Sequence, residues 1–224
     1  MKHKEQELQT IKDEIYQMWS LVISQTEKSK AAFLQKNIEL AMEVNRLEKR
    51  VNVFELKIER SCENYIALYN PVAIDLRLIL SIMKISTMLE RIADYANGIA
   101  LHVLDKDCNQ LDYTLVDELA LEKMFELLLN MLADSFISFQ MESTQTSGKI
   151  LLKDKEINAI YDAAFQKLES YMSLNPREIH CGLKLILLIR KMERMGDLCS
   201  NIVEEIVFYV EAKVLKHKGK TEES

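Results

Sequence analysis

Residues 78–103 read LILSIMKISTMLERIADYANGIALHV, with apolar side chains at Leu78, Ile82, Ile85, Leu89, Ile92, Ala96, Ile99 and Val103. The gaps alternate four and three, a heptad pattern that places one apolar stripe along a helix and suits packing against neighbouring helices. Within this run, Glu90-Arg91-Ile92-Ala93-Asp94 sets two carboxylates four residues apart. On a helix they stack on one face, and such like-charge pairs destabilise an isolated helix by roughly 0.2–0.5 kcal/mol. The pattern returns 103 positions later as Glu193-Arg194-Met195-Gly196-Asp197. Its own apolar seam is Cys181, Leu185, Leu188, Met192, Met195, Cys199, Ile202 and Ile206. A repeated repulsion calls for a compensating charge, and a hard cation bound by oxygen ligands is the simplest.

Working outward, two prolines and five glycines in 224 residues leave few breaks, so long helices are expected. Helices are read over 5–35, 38–68, 71–104, 112–141, 149–172 and 176–216, with Asn37 as a cap and a polar linker at 105–111. Asn70-Pro71 and Asn175-Pro176 mark matching breaks. Lys49-Arg50-Val51-Asn52 matches Lys155-Glu156-Ile157-Asn158. The chain is therefore all-α, two tandem three-helix bundles of one plan, divided as 1–108 and 109–224.

Composition narrows the function. A net charge of −6 with no dense basic run gives no electrostatic footprint for nucleic acid. No stretch approaches the roughly 20 apolar residues of a membrane span. Residues 1–5 enter a polar helical pattern without an apolar leader, so a cytoplasmic protein with four reduced cysteines is expected.

At about 100° per residue, Glu90 and Asp94 point away from the seam toward an outer face. Asp75, Glu90, Asp94 and Asn97 fall on one strip of the third helix, and Glu48, Asn52, Glu55 and Glu59 form an acidic strip on the second. The other half offers Glu178, Glu193, Asp197 and Asn201, with Asp154 and Asn158 on the fifth helix. There Tyr161 and Phe165 stand where Glu55 and Glu59 would be, so the second acidic set is weaker. A ferritin-like di-metal enzyme would need Glu-x-x-His inside a bundle, and no such motif occurs. Nucleotide-binding, Ser/His/Asp and His-Glu-x-x-His motifs are also missing, so the chain reads as no enzyme. Simple solvation of a helical scaffold is the remaining alternative.

Asn70-Pro71-x3-Asp75-Leu76-Arg77, Leu89-Glu90-Arg91-Ile92-Ala93-Asp94-Tyr95-Ala96 and Met192-Glu193-Arg194-Met195-Gly196-Asp197 with Asn201-Ile202 resemble the PhoU family over nearly the whole chain. The resemblance implies a six-helix, often dimeric protein that represses phosphate uptake and phosphate-regulon signalling. Its implied partners, at the inner membrane surface, are a phosphate ABC transporter and a phosphate-sensing histidine kinase. It further implies metal ions (iron, zinc, manganese or magnesium) on the carboxylate faces. Carried over, Glu55, Glu59, Asp75, Glu90, Asp94 and Asn97 would serve one site; Asp154, Asn158, Glu193, Asp197 and Asn201 would serve the other. Ala93 stands where the family usually has glycine, and His180 and Gly182 depart from the Asp75 and Arg77 pattern when counted from the proline.

Overall fold

The computed structural model describes residues 2–105 and 113–213. It is all-α, with no strand among the described residues. The helices are α1 (Lys2–Gln35), α2 (Ile38–Tyr69), α3 (Ala73–His102), α4 (Tyr113–Glu118), α5 (Leu121–Gln140), α6 (Ser147–Leu174) and α7 (Ile179–Glu211). α1, α2 and α3 pack as one bundle and α5, α6 and α7 as the other. α3 lies along α7 and α1 touches α5, so α2, α3, α7 and α6 form one four-helix face backed by α1 and α5.

Both heptad seams face inward. Every α3 seam residue is buried, as are the α7 seam residues from Leu185 to Ile206. Each fully buried Leu or Ile contributes about 1.5–3 kcal/mol of hydrophobic stabilisation, and a single apolar cluster runs through both bundles. Trp19 of α1 ties the halves together: its Nε1 donates to the Leu132 carbonyl of α5 at 3.2 Å, and its ring packs on Phe136 and Phe139. α3 and α7 run antiparallel, because Arg77 Nε donates to the Tyr209 carbonyl and Ser81 Oγ to that of Glu205, each at 3.3 Å.

Local chemistry sets the helix ends. Asn37 Oδ1 accepts from the Leu40 amide at 3.0 Å, the N-cap expected of asparagine. Asn70 adopts the left-handed conformation that closes α2, and an extended Val72 after Pro71 delays α3 to Ala73, two residues beyond the expected start. The second Asn-Pro break opens a short 3-10 turn, Pro176–Glu178, before α7 begins. The expected helix 112–141 is broken instead at Ala120, whose φ is 51°. Leu119 and Leu121 are both buried, yet in a continuous helix they would lie about 200° apart. The break lets both reach the core.

Cys62 and Cys199 are free and buried, and burial pushes the Cys62 thiol up to about 12. Cys181 departs from two expectations, being half-buried and in a disulfide rather than a reduced core thiol. The expected end of the last helix, Lys216, most of the expected linker (residues 106–111) and Cys108 lie outside the described residues.

Candidate metal faces on paired helices

The first face is built by α2 and α3. Behind it, α1 fixes the register of α3: Gln25 Nε2 donates to the Ala93 carbonyl at 3.0 Å and Ser29 Oγ to that of Ala96 at 2.7 Å. Those small residues let α1 approach on one side while Glu90 and Asp94 turn to the other. Glu90 is half-buried and Asp94 exposed. Burial, then the charges of Glu55, Asp94 and Glu48, hold the Glu90 carboxyl above the usual range. Asn52 Nδ2 donates to Glu48 Oε1 at 2.6 Å, which leaves Asn52 Oδ1 buried without a partner. Buried polar atoms are rarely left unpaired, so this oxygen has a lone pair to offer a cation beside a carboxylate cluster.

The second face pairs α6 with α7. The Asp154 carboxyl is raised by burial and by Asp197; the Ser200 hydroxyl offsets part of that rise while standing outside strict hydrogen-bond geometry. Glu193 is raised by burial and by Asp197, with Arg194 opposing. Asp154 Oδ1 and Asn158 Oδ1 are buried and unpartnered, the latter repeating Asn52 Oδ1. Arg194 spans the face, with Nη1 at 3.1 Å from Asp197 Oδ2 and Nε at 3.6 Å from Glu193 Oε2. Its counterpart Arg91 is exposed and makes no ion pair among the described residues.

Gly196 allows close approach of the two helices. A Cβ there would stand 3.0 Å from Asp154 Oδ1 and 3.2 Å from Ile157 Cδ1. The first face has Ala93 and the longer Glu48 in the corresponding places.

Other expected ligands are not gathered. Asp75 sits in the first turn of α3 and pairs with Lys4 Nζ at 2.7 Å. Fifteen residues of helix, about 22 Å, separate it from Glu90. Asn97 is buried, and its Oδ1 accepts from Asn45 Nδ2 at 3.3 Å. Glu59 is exposed near the far end of the α2 strip. Asn201 is exposed and faces α3 across a groove, because it lies four residues beyond Asp197, not three. Ser200 occupies the place matching Asn97, three residues beyond Asp197, with a hydroxyl in place of the amide. Tyr161 and Phe165 pack edge to face at 5.1 Å and cover Ile186 and Ile189. Among the described residues, no three Asp, Glu, His or Cys side chains stand close enough to hold an ion without moving.

The arrangement thus offers two oxygen-only donor sets with raised carboxyls and orphaned amide oxygens, suited to hard cations. Comparison with known proteins agrees with the tandem plan. The PhoU domain model matches residues 15–103 and again 121–206. The phosphate-specific transport system accessory protein PhoU of Escherichia coli K12 is 32% identical over 213 residues, 95% of this chain and 87% of that protein. The PhoU homolog of Aquifex aeolicus is 32% identical over 218 residues, 95% of each. Two crystal structures share the fold. PhoU from Pseudomonas aeruginosa has a TM-score of 0.84 at 26% identity, covering 93% of this chain and 99% of that one. The phosphate transport system regulatory protein PhoU from Streptococcus pneumoniae has a TM-score of 0.85 at 28% identity, covering 95% and 99%. With both halves matched by one domain model and nearly full-length relatives at about one-third identity, this chain belongs to the PhoU family.

Proposed function

We propose that this protein is a non-enzymatic regulator of phosphate uptake. It acts in the cytoplasm as a homodimeric adaptor, restraining a phosphate-specific ABC transporter and passing the phosphate-replete signal to a sensor histidine kinase. The observation that carries this reading is the Glu-Arg-x-x-Asp pair on α3 and α7, inside two matches to one domain model. Relatives that match nearly the whole chain are named as accessory or regulatory proteins of phosphate transport. No helix among the described residues is long and apolar enough to cross a membrane, which is consistent with peripheral contact with membrane partners.

The metal faces belong to the same proposal. Glu48, Asn52, Glu55, Glu90 and Asp94 would hold a hard cation on the first face, and Asp154, Asn158, Glu193 and Asp197 on the second. Iron, manganese and magnesium suit oxygen donors best, with zinc a further candidate. A cation would offset the burial and the neighbouring carboxylate charges that together raise Glu90, Asp154 and Glu193.

Deletion of the gene tests the regulatory role. Phosphate-starvation genes should be expressed in phosphate-rich medium, and the intact gene should restore repression. Unchanged expression in a strain without a second copy would refute it.

A further inference from the structure

A groove of about 530 Å³ crosses the outer side of α3, from α2 to α7, and is open to solvent along its length. Its floor includes Met83 and Met88, both half-buried, and Leu198. Its walls carry four glutamates, Glu55 and Glu59 from α2 and Glu204 and the buried Glu205 from α7, against two cations, Lys84 and Arg91. Lys84 is already committed. Its Nζ lies 3.0 and 3.2 Å from the two carboxylate oxygens of Glu205 and 5.6 Å from the centroid of the Phe208 ring. That leaves Arg91 facing Glu55, Glu59 and Glu204, one positive charge against three negative. Glu59 and Glu204 make no ion pair among the described residues.

We propose that this groove docks a basic amphipathic helix of a partner protein. Methionine side chains are flexible and polarisable, so Met83 and Met88 can re-pack around the apolar stripe of an incoming helix. Lysines and arginines beside that stripe would meet the glutamate-lined walls, and charge complementarity of this kind sets partner choice and speeds encounter. An anionic lipid surface or an acidic peptide meets the wrong charge here. The inference does not depend on the regulatory role or on metal binding: Glu55, Glu59 and Asn201 are shared with the expected ligands, whereas Met83, Met88, Arg91, Glu204 and Glu205 are not.

The test uses the full chain in chelator and two fluorescent 18-residue peptides with the same leucine stripe. One is flanked by lysine and arginine, the other by glutamate. The basic peptide should bind with a micromolar Kd by anisotropy and gain helical circular dichroism, while the acidic peptide should not bind. Glu204→Lys should weaken binding at least tenfold and Met88→Ala several-fold. Glu169→Lys makes the same charge change on an exposed site of α6 and should weaken it less than twofold. Circular dichroism verifies each fold, and Met88→Ala, which only shortens a side chain, keeps the test valid if Glu204→Lys fails to fold. No binding, equal binding of both peptides, or equal losses in Glu204→Lys and Glu169→Lys would overturn the proposal. Sedimentation showing that Glu204→Lys dissociates a homodimer would assign the groove to a second copy of this chain and overturn it as well.

Discussion

The α2–α3 face and the α6–α7 face follow one plan with different contents. The first sets Glu48, Asn52, Glu55 and Glu59 opposite Glu90 and Asp94; the second sets Asp154, Asn158, Tyr161 and Phe165 opposite Glu193 and Asp197. Two acids have become an aromatic pair that covers Ile186 and Ile189. One methylene has been lost on each side of the contact, from Glu48 to Asp154 and from Ala93 to Gly196. The shared arginine is also used differently, since Arg194 bonds Asp197 and approaches Glu193, whereas Arg91, also exposed, makes no ion pair among the described residues. The second half therefore answers its carboxylate repulsion with a directly paired arginine and an apolar cover, whereas the first half has Arg91 acting on Glu90 without an ion pair and keeps more acids. The first face is left with the greater need for an external cation.

The largest expected effect follows from that difference. Replacing Glu90 and Asp94 with alanine should remove more bound metal than replacing Glu193 and Asp197, as read by elemental analysis after metal-replete purification. Both variants should keep their helices, because Leu89, Ile92, Met192 and Met195 still fill the seams. Equal losses from the two variants, or a parent protein that carries no metal, would break the ranking.

A smaller effect separates the backbones of the two faces. Gly196→Val would press a branched side chain against Asp154 Oδ1 and Ile157. Overpacking of this sort costs about 1–3 kcal/mol. Ala93→Gly leaves space instead and costs about 0.5–1 kcal/mol through helix propensity. Urea unfolding should rank the two in that order. The reverse order would mean that close approach at Gly196 does not govern how α6 seats on α7.

Much of this contrast was legible in the sequence. The four-three gaps from Leu78 to Val103 place the core because burial of a stripe has a fixed period. The Tyr161 and Phe165 substitutions show by simple alignment of the halves. Periodicity is blind to distance along a helix, so it put Asp75 on the same strip as Glu90, although Asp75 pairs with Lys4 in the first turn of α3, half the helix length from Glu90. It is equally blind to what a backbone does when both neighbours are apolar, as at Ala120 between Leu119 and Leu121. Asn201 reads as a ligand by residue type, although the spacing of Asp94 to Asn97 corresponds to Ser200 in the second half. The orphaned oxygens of Asn52 and Asn158 depend on which neighbour takes the amide protons, and no sequence pattern encodes that.

The smallest expected effect is on stability against pH, and it tests the same asymmetry without metal. Glu90, Asp154 and Glu193 have folded values raised by burial and by neighbouring carboxylates. A raised carboxyl contributes stability that is fully present below its unfolded value and is lost as pH rises through its folded value. The chelated protein should therefore gain stability as pH falls from neutral toward the ordinary carboxylate range. Glu142 works in the opposite sense: its hydrogen bond from Lys12 holds it below that range, so its contribution is lost only at still lower pH. The two effects have opposite sign, one felt mainly above and the other mainly below the ordinary carboxylate range, and thermal unfolding at closely spaced pH values separates them. The gain is modest because these carboxyls are partly exposed and screened by solvent. Glu90→Gln should flatten the upper window more than Glu193→Gln, since Glu55, Asp94 and Glu48 raise Glu90 against Arg91 alone, whereas Arg194 and Arg190 both oppose the rise of Glu193. A chelated protein whose stability falls steadily over that window, or a Glu90→Gln variant that keeps the full slope, would show that repulsion on the first face is relieved by something other than proton uptake.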